Sequence, residues 1–342
     1  MRHLAILCVR NEAAFLIEWL AHHHAIGFTD FMVFSNDCQD GTDALLDRLQ
    51  ALGHLTHIRN DRPGQRGPQW SALKLAEDHA LRRSADWIMV LDIDEFVNIR
   101  AGDGTLAALH AALPEATAIP LAWRLFGNAG EVEIADRLVT ERFTRAAPSV
   151  LWWPWRAALF KTLFRNDGTY ARLGVHRPRD PDPKRLAGSR WFDGSGRELG
   201  EGFRTNRLYA DYGRDNYRLA QLNHYALGSA QDFILKGDRG RANREASAAD
   251  AGYWIERNFS SDEDRSVLRT APLSAPLRAE LLADPVLGPL NRAAIQWRRS
   301  RFAVLMKDEA MRALYGRLLL SGPSQPLDEE QARTIWRLAQ NQ

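Results

Sequence analysis

An α/β fold, with a mainly parallel central sheet, helices on both faces and a helical C-terminal tail, is predicted by three observations. Strand-like and helix-like patterns alternate through the first hundred residues, as in βα units joined by right-handed crossovers. The run WIMVLDIDEF, Trp87 to Phe96, is apolar and β-branched and ends in three carboxylates, Asp92, Asp94 and Glu95. The chain has 342 residues, 45% hydrophobic and 26% charged, which is enough to bury a real core.

The elements follow in order. HLAILCV reads as a first strand, and AAFLIEWLAHHHAIGF as an amphipathic helix stopped at Gly27. FMVFS is a second strand. The loop NDCQDGT leads into the helix TDALLDRLQALG, with Thr42 or Asp43 as N-cap and Gly53 as stop. LTHIR is a short third strand, and the Gly- and Pro-rich loop NDRPGQRGP opens a helix from Gln69 to Arg83. The acidic strand closes the βαβαβαβ series. Beyond residue 100 the pattern loosens. TLAALHAAL predicts a helix over Thr105 to Leu113, and AIPLAWRLFG, VTERFTR and ALFKTLFR read as strands. Pro178 to Arg214 reads as long loops, LAQLNHYAL as a strand, SAQDFILKGDRGRANRE as a helix and basic loop, and the tail from Pro276 as helical.

Burying the acidic strand places the Asp-x-Asp pair at its carboxyl end, where open α/β sheets bind ligands. Strand alternation would turn both carboxylates the same way. Hard oxygen ligands of this kind suit Mg²⁺ or Mn²⁺, with a substrate's phosphates completing the shell. The competing reading is a solvated acidic strand end.

Two cysteines, Cys8 and Cys38, exclude a disulfide scaffold and a multi-cysteine zinc site. No stretch approaches about 18 uninterrupted apolar residues, so a cytoplasmic chain with at most peripheral membrane contact is expected. The net charge of +2 is uneven. Residues 1–136 carry 11 Lys and Arg against 19 Asp and Glu, whereas residues 137–214 carry 16 against 8. The basic middle either steers an anionic glycan, lipid phosphate or membrane surface, or is a solvated face with local ion pairs. The second reading is preferred. Nucleic acid is not an expected partner, because the basic residues form no readout motif.

The blocks VRNEAAFLIEWLAHHHAIGF, FSNDCQDGTDALL, LDIDEFV and NHYALGSAQDFILKGDRG resemble the family-2-like glycosyltransferases related to the family-92 enzymes, over roughly residues 3–240. The resemblance implies a GT-A fold, with a nucleotide-binding half (1–100), an acceptor half (101–240) and a mainly helical extension (241–342). It implies transfer of a sugar from a nucleotide-sugar donor, UDP-linked as first expectation, to a glycan or lipid-linked acceptor, as in polysaccharide biosynthesis. Carried over by motif, Asp92 and Asp94 would bracket a Mn²⁺ or Mg²⁺ ion and the donor, with Glu95 behind them and His224 as a further metal ligand. Arg10, Asn11 and Glu12 would shape the nucleotide pocket. Asp37 would bond the base, or Asn36 in its place, since this loop is one residue shorter than the family-2 pattern. Lys236 and Arg239 would close over the diphosphate. That chemistry is sound in itself: a divalent ion and fixed positive charge stabilise the departing diphosphate.

An inverting transfer also needs a base for the acceptor hydroxyl. Glu131, Glu133, Asp136 and Glu141 are candidates that spacing does not separate, and Glu141 stands for the group. Other residues have plainer readings. Asp40 precedes a helix and is expected to support its start. His22, His23 and His24 point about 100° apart on a helix and cannot share one ion, so they are assigned to packing or to charge at the helix C-terminus. His176 is read as an ordinary loop histidine. Of 11 tryptophans, Trp19, Trp70 and Trp87 are assigned to the core, and one of Trp152, Trp153 and Trp155 to acceptor contact. The alternatives are a sugar-binding pseudoenzyme and a metal-dependent phosphohydrolase. The latter is disfavoured because its nucleophile belongs on a first strand.

Overall fold

The computed structural model describes residues 1–61, 64–238 and 250–340. The strands are β1 (His3–Val9), β2 (Asp30–Ser35), β3 (Thr56–Arg59), β4 (Trp87–Leu91), β5 (Glu95–Ile99), β6 (Ala118–Leu125), β7 (Arg145–Ala146), β8 (Phe160–Arg165), β9 (Tyr170–Arg172), β10 (Arg179–Pro181), β11 (Ala220–His224) and β12 (Asp262–Glu263). The helices are α1 (Ala13–Ala25), α2 (Thr42–Ala51), α3 (Pro68–Glu77), α4 (Ala80–Ser84), α5 (Leu106–Ala112), α6 (Val139–Arg142), α7 (Pro183–Leu186), α8 (Glu201–Thr205), α9 (Ala230–Asp238), α10 (Ala251–Ile255), α11 (Ala271–Ala283), α12 (Leu287–Leu305), α13 (Glu309–Leu320) and α14 (Glu329–Gln340).

Eight strands form one mixed sheet in the order β3-β2-β1-β4-β8-β6-β11-β5. β3, β2, β1 and β4 are parallel, as the βα alternation predicts. β8 then runs antiparallel to both β4 and β6. β1 is central and apolar on both faces. Its Leu4 and Ile6 pack with Ala72, Leu73 and Ala76 of α3, while Ala5, Leu7 and Val9 pack with α1 and α2. Period-2 alternation thus feeds two separate cores. A third apolar cluster ties α9 (Phe233, Ile234) to Trp254, Ile295 of α12 and Leu318 of α13. The C-terminal segment is therefore joined to the sheet domain: α11 and α12 pack on α1, and β12 pairs with β7.

Several local expectations are corrected. The acidic run is two strands, β4 and β5, with Asp92–Asp94 in a turn between them. Glu95 holds that turn, its N–H donating to the Asp92 carbonyl (3.1 Å) and its Oε2 accepting from the Asp92 N–H (2.8 Å). VTERFTR is not a strand. The Glu18 carboxylate accepts from the N–H groups of Val139 (2.8 Å) and Thr140 (3.0 Å), which starts the helical turn α6 instead. The helix expected over 69–83 breaks into α3 and α4, with the His79 ring accepting from Leu81 N–H. Gly41, in the left-handed region, takes the N-cap position of α2. Asp40 supports two helices at once: Oδ1 accepts from Thr42 N–H and Oδ2 from Ala13 N–H, both at 3.0 Å.

His22 and His23 of α1 do not act by charge at the helix end. His22 Nε2 meets Val97 O (2.8 Å) and His23 Nδ1 meets Trp19 O (2.9 Å) in the core. Burial pushes His22 down to about 4 and His23 well below the usual value. His3, also buried, is likewise pushed down to about 4. Because these folded-state values lie below the unfolded 6.5, the unfolded chain takes up protons that the folded chain refuses. Stability is then fully present above pH 6.5 and lost as pH falls toward 4, by about 3 kcal/mol for His22 alone. The melting temperature of wild type should fall over that window, and less steeply in His22→Gln. Parallel pH profiles for the two proteins would contradict this account.

Candidate functional site

The site lies at the carboxyl ends of β1, β4 and β11. β4 pairs with β8 at Trp87 and Ile88, and β5, which follows β4 across the turn, pairs antiparallel with β11. Asp94 emerges from the turn with its carbonyl accepting from Tyr225 N–H (2.8 Å). Its Oδ2 accepts from Lys236 Nζ on α9 at 2.6 Å and lies 3.8 Å from His224 Nε2 at the end of β11. Lys236 Nζ also donates to the Ala226 carbonyl (2.7 Å). Asn11, Glu12, Phe15, Trp297 and Arg298 complete a cleft with Asp94 and Lys236.

Asp92 has a different environment. Its Oδ2 accepts from Lys161 Nζ (2.9 Å) and its Oδ1 from Gln69 Nε2 (3.2 Å). Lys161 is wholly buried on β8, with Glu95 Oε2 3.6 Å away. Glu95 Oε1 accepts from Trp123 Nε1 at 2.6 Å. Three carboxylates therefore converge on two lysines, Lys161 wholly buried and Lys236 about a fifth exposed, and the two aspartates do not act as one strand face. Sequence reasoning missed Lys161 and Gln69. The only trace of Lys161 is a lysine on the same strand face as Leu163 within FKTLFR.

Burial alone would raise the Asp94 carboxyl, but Lys236, His224 and Lys161 together bring it down to about 2. Burial pushes the His224 imidazole down to about 3 against the pull of Asp94. Burial also raises Glu95, opposed by Lys161. Asp94 is thus an anion and His224 a neutral imidazole whose Nδ1 makes no hydrogen bond among the described residues. That pair suits a divalent cation whose other ligands are phosphate oxygens and water. The expected set of three is not assembled: among the described residues no group of three His, Cys, Asp or Glu side chains is arranged to hold a metal. Asp92 is the missing member, engaged by Lys161 and Gln69.

The remaining expected residues separate. Asn11 and Asp37 both have left-handed backbone, φ 56° and 47°, at the ends of β1 and β2. Strain of that kind clusters at binding sites. Asn11 Oδ1 accepts from Gln39 N–H (2.7 Å), linking the two strand ends. Asn36 is buried and Asp37 exposed, and neither lines the cleft that holds Asp94. Arg10 is half-buried directly after β1. Arg239 lies outside the described residues. Glu141 does not line this cleft, though its neighbours Val139 and Phe143 do; it lines a second one. Glu131, Glu133 and Asp136 do not line the Asp94 cleft either, and Glu131 is held by Arg142 (3.0 Å). His176 lies in a loop, with its Nδ1 meeting the Phe160 carbonyl (2.9 Å). Trp19 and Trp87 are core, whereas Trp70 is half-buried under Arg179. Trp152 packs on Gly213 and Trp155 on Trp336 of α14, away from the Asp94 cleft. Arginines of the basic middle are largely absorbed by local ion pairs, such as Arg197 with Asp193 and Arg214 with Asp211. Among the described residues no helix is long and apolar enough to cross a membrane.

A family 92 glycosyltransferase protein of rice (Oryza sativa subsp. japonica) is 27% identical over 150 residues, which are 42% of this chain and 24% of that protein. The chain thus matches about a quarter of its relative's length. Among solved structures, TarS residues 1–349 from S. aureus shares 12% identity with TM-score 0.34, covering 90% of this chain and 92% of that one. The galactosyltransferase LgtC, solved with donor and acceptor sugar analogs, shares 12% identity with TM-score 0.32, covering 80% and 95%. The profile of glycosyltransferase family 92 matches residues 5–184, more than half of the sequence, and the chain belongs to that family.

Proposed function

We propose that the chain transfers a glycosyl group from a nucleotide-diphosphate sugar, UDP-linked in the first instance, to a hydroxyl acceptor. The observation that carries this reading is the convergence of ionised Asp94, neutral His224 and cationic Lys236 in one cleft at the carboxyl end of the parallel strands. Breaking the glycosyl–phosphate bond leaves charge on the diphosphate, and Lys236 supplies a fixed cation whose position is set by the Ala226 carbonyl as well as Asp94. Asp94 and His224 would hold a Mn²⁺ or Mg²⁺ ion, which when bound supplies Lewis-acid stabilisation to the phosphates. The Asn11 and Asp37 ends of β1 and β2 are offered to the nucleoside, consistent with their left-handed backbone. Lys161 and Glu95 hold Asp92 and the turn rigid behind them.

The test is release of nucleoside diphosphate from UDP-, GDP- and CDP-sugars with Mn²⁺, Mg²⁺ or EDTA. One donor class should turn over, and only with metal. Hydrolysis of generic phosphate esters in place of sugar donors would sink the proposal. Lys236→Ala should raise the donor KM about tenfold or more, as expected for loss of a charge-assisted bond, and leave acceptor KM within about twofold. Equal effects on both substrates would remove Lys236 from the donor site.

A further inference from the structure

A second cleft of about 240 Å³ opens between α1, residues 134–142, α11 and α12. It shares Phe15, Asp232 and Arg298 with the cleft holding Asp94, so the two are contiguous. Its walls are fixed. Glu18 is clamped by the Val139 and Thr140 N–H groups and by the Thr140 hydroxyl (2.9 Å). Arg298, 6% exposed, donates to Asp232 Oδ1 (2.9 Å) with its guanidinium over the Phe15 ring. Two other lining groups, Arg278 of α11 and Asn291 of α12, come from the C-terminal helices. Asn291 is 8% exposed, yet none of the hydrogen bonds among the described residues uses its amide. Its polar atoms still reach the cleft surface, so the amide is open to a ligand's hydroxyl or to water.

The lining includes four arginines and four carboxylates, so it has no excess of either sign. An anionic ligand would find its attraction cancelled, since steering requires one sign to dominate. Hydroxyl groups, each both donor and acceptor, match such a lining, because carboxylates take their protons while guanidinium and amide N–H groups meet their oxygens. We propose that this cleft is the acceptor subsite and takes a neutral hexose unit of a glycan, with Arg278 and Asn291 as contacts. The C-terminal helices thereby complete the site that the sheet domain begins. This inference rests on the transferase reading for its role, but not for the binding itself.

Saturation-transfer NMR on the full chain tests it, with methyl β-D-glucopyranoside, methyl β-D-galactopyranoside and methyl α-D-mannopyranoside as probes and glucuronate and glucose 6-phosphate as anionic controls. At least one neutral hexoside should receive saturation in wild type and in Asp94→Asn, at low and high salt alike. The signal should fall about tenfold in Asn291→Leu and in Arg278→Met, as expected for loss of bonds in a desolvated cleft. Arg278 is only half-buried, so its variant keeps the fold even where the Asn291 variant does not. No signal from any neutral hexoside, an undiminished signal in Arg278→Met, or binding of the anionic sugars alone would overturn the inference. UDP binding, followed in parallel by thermal shift, separates the two readings. UDP binding without hexoside binding overturns only the subsite, and hexoside binding lost in the cleft variants without UDP binding supports the subsite while sinking the transferase reading.

Discussion

Asp94→Asn is expected to reduce sugar transfer by about 10³-fold or more while the protein still folds, the scale seen when one preorganised charge is removed from a leaving-group site. The substitution keeps the shape of the side chain and the backbone carbonyl that accepts from Tyr225 N–H. It removes the anion that faces both His224 and Lys236 among the described residues. Lys236 then keeps the Ala226 carbonyl and the Tyr253 ring, and an ammonium that has lost its counter-ion shifts toward solvent. Asp94 itself is about a fifth exposed, so the stability cost should stay below about 3 kcal/mol. Turnover is read as nucleoside diphosphate released and folding as the melting temperature. Turnover near wild type in a folded Asp94→Asn protein would remove Asp94 from the chemistry.

Lys161→Met is expected to have the largest effect on stability. Lys161 is wholly buried, with Asp92 at 2.9 Å and Glu95 at 3.6 Å. Removing it leaves Asp92 and Glu95 without the cation that faces them, a change that costs about 3–5 kcal/mol at buried pairs. In a chain of this size the melting temperature should drop by roughly 5–10 °C. A second substitution separates charge from packing. Asp92→Asn on the Lys161→Met background should recover part of the loss, because it removes one of the stranded carboxylates. A double variant no more stable than Lys161→Met, or a Lys161→Met protein that melts like wild type, would contradict the charge network.

The first hundred residues were legible because their signals are local. β1 to β3 alternate with α1 and α2 in patterns set by strand and helix period, and the Asp-x-Asp turn follows the last apolar strand of the series. Asp94 lies near His224 and Lys236, which are 130 and 142 positions further along the sequence. The break between β4 and β5 was hidden, since it depends on Glu95 folding back onto the Asp92 N–H, and nothing in an apolar run announces that. Lys161 was hidden for a similar reason. A lysine in a strand carries no marker of the face it takes until the register of β8 against β6 is known. The position of Glu141 in the second cleft was hidden because Glu18, 123 positions earlier, turns its segment into α6. Trp297 and Arg298 reach the cleft only through the packing of α12, a long-range event with no local signature.

The central claim is that a nucleoside diphosphate binds where Asp94, His224 and Lys236 converge. Thermal shift with UDP, GDP, CDP and TDP, each with Mn²⁺ or EDTA, tests it most directly on wild type, Asp94→Asn and His224→Ala. Ligand at about 100-fold its Kd adds about 2.7 kcal/mol, a rise of several degrees. One nucleotide, expected to be UDP, should raise the wild-type melting temperature in Mn²⁺ and not in EDTA, and the rise should vanish in both variants. No rise with any nucleotide, or one that survives EDTA and both substitutions, would contradict the assignment of the site.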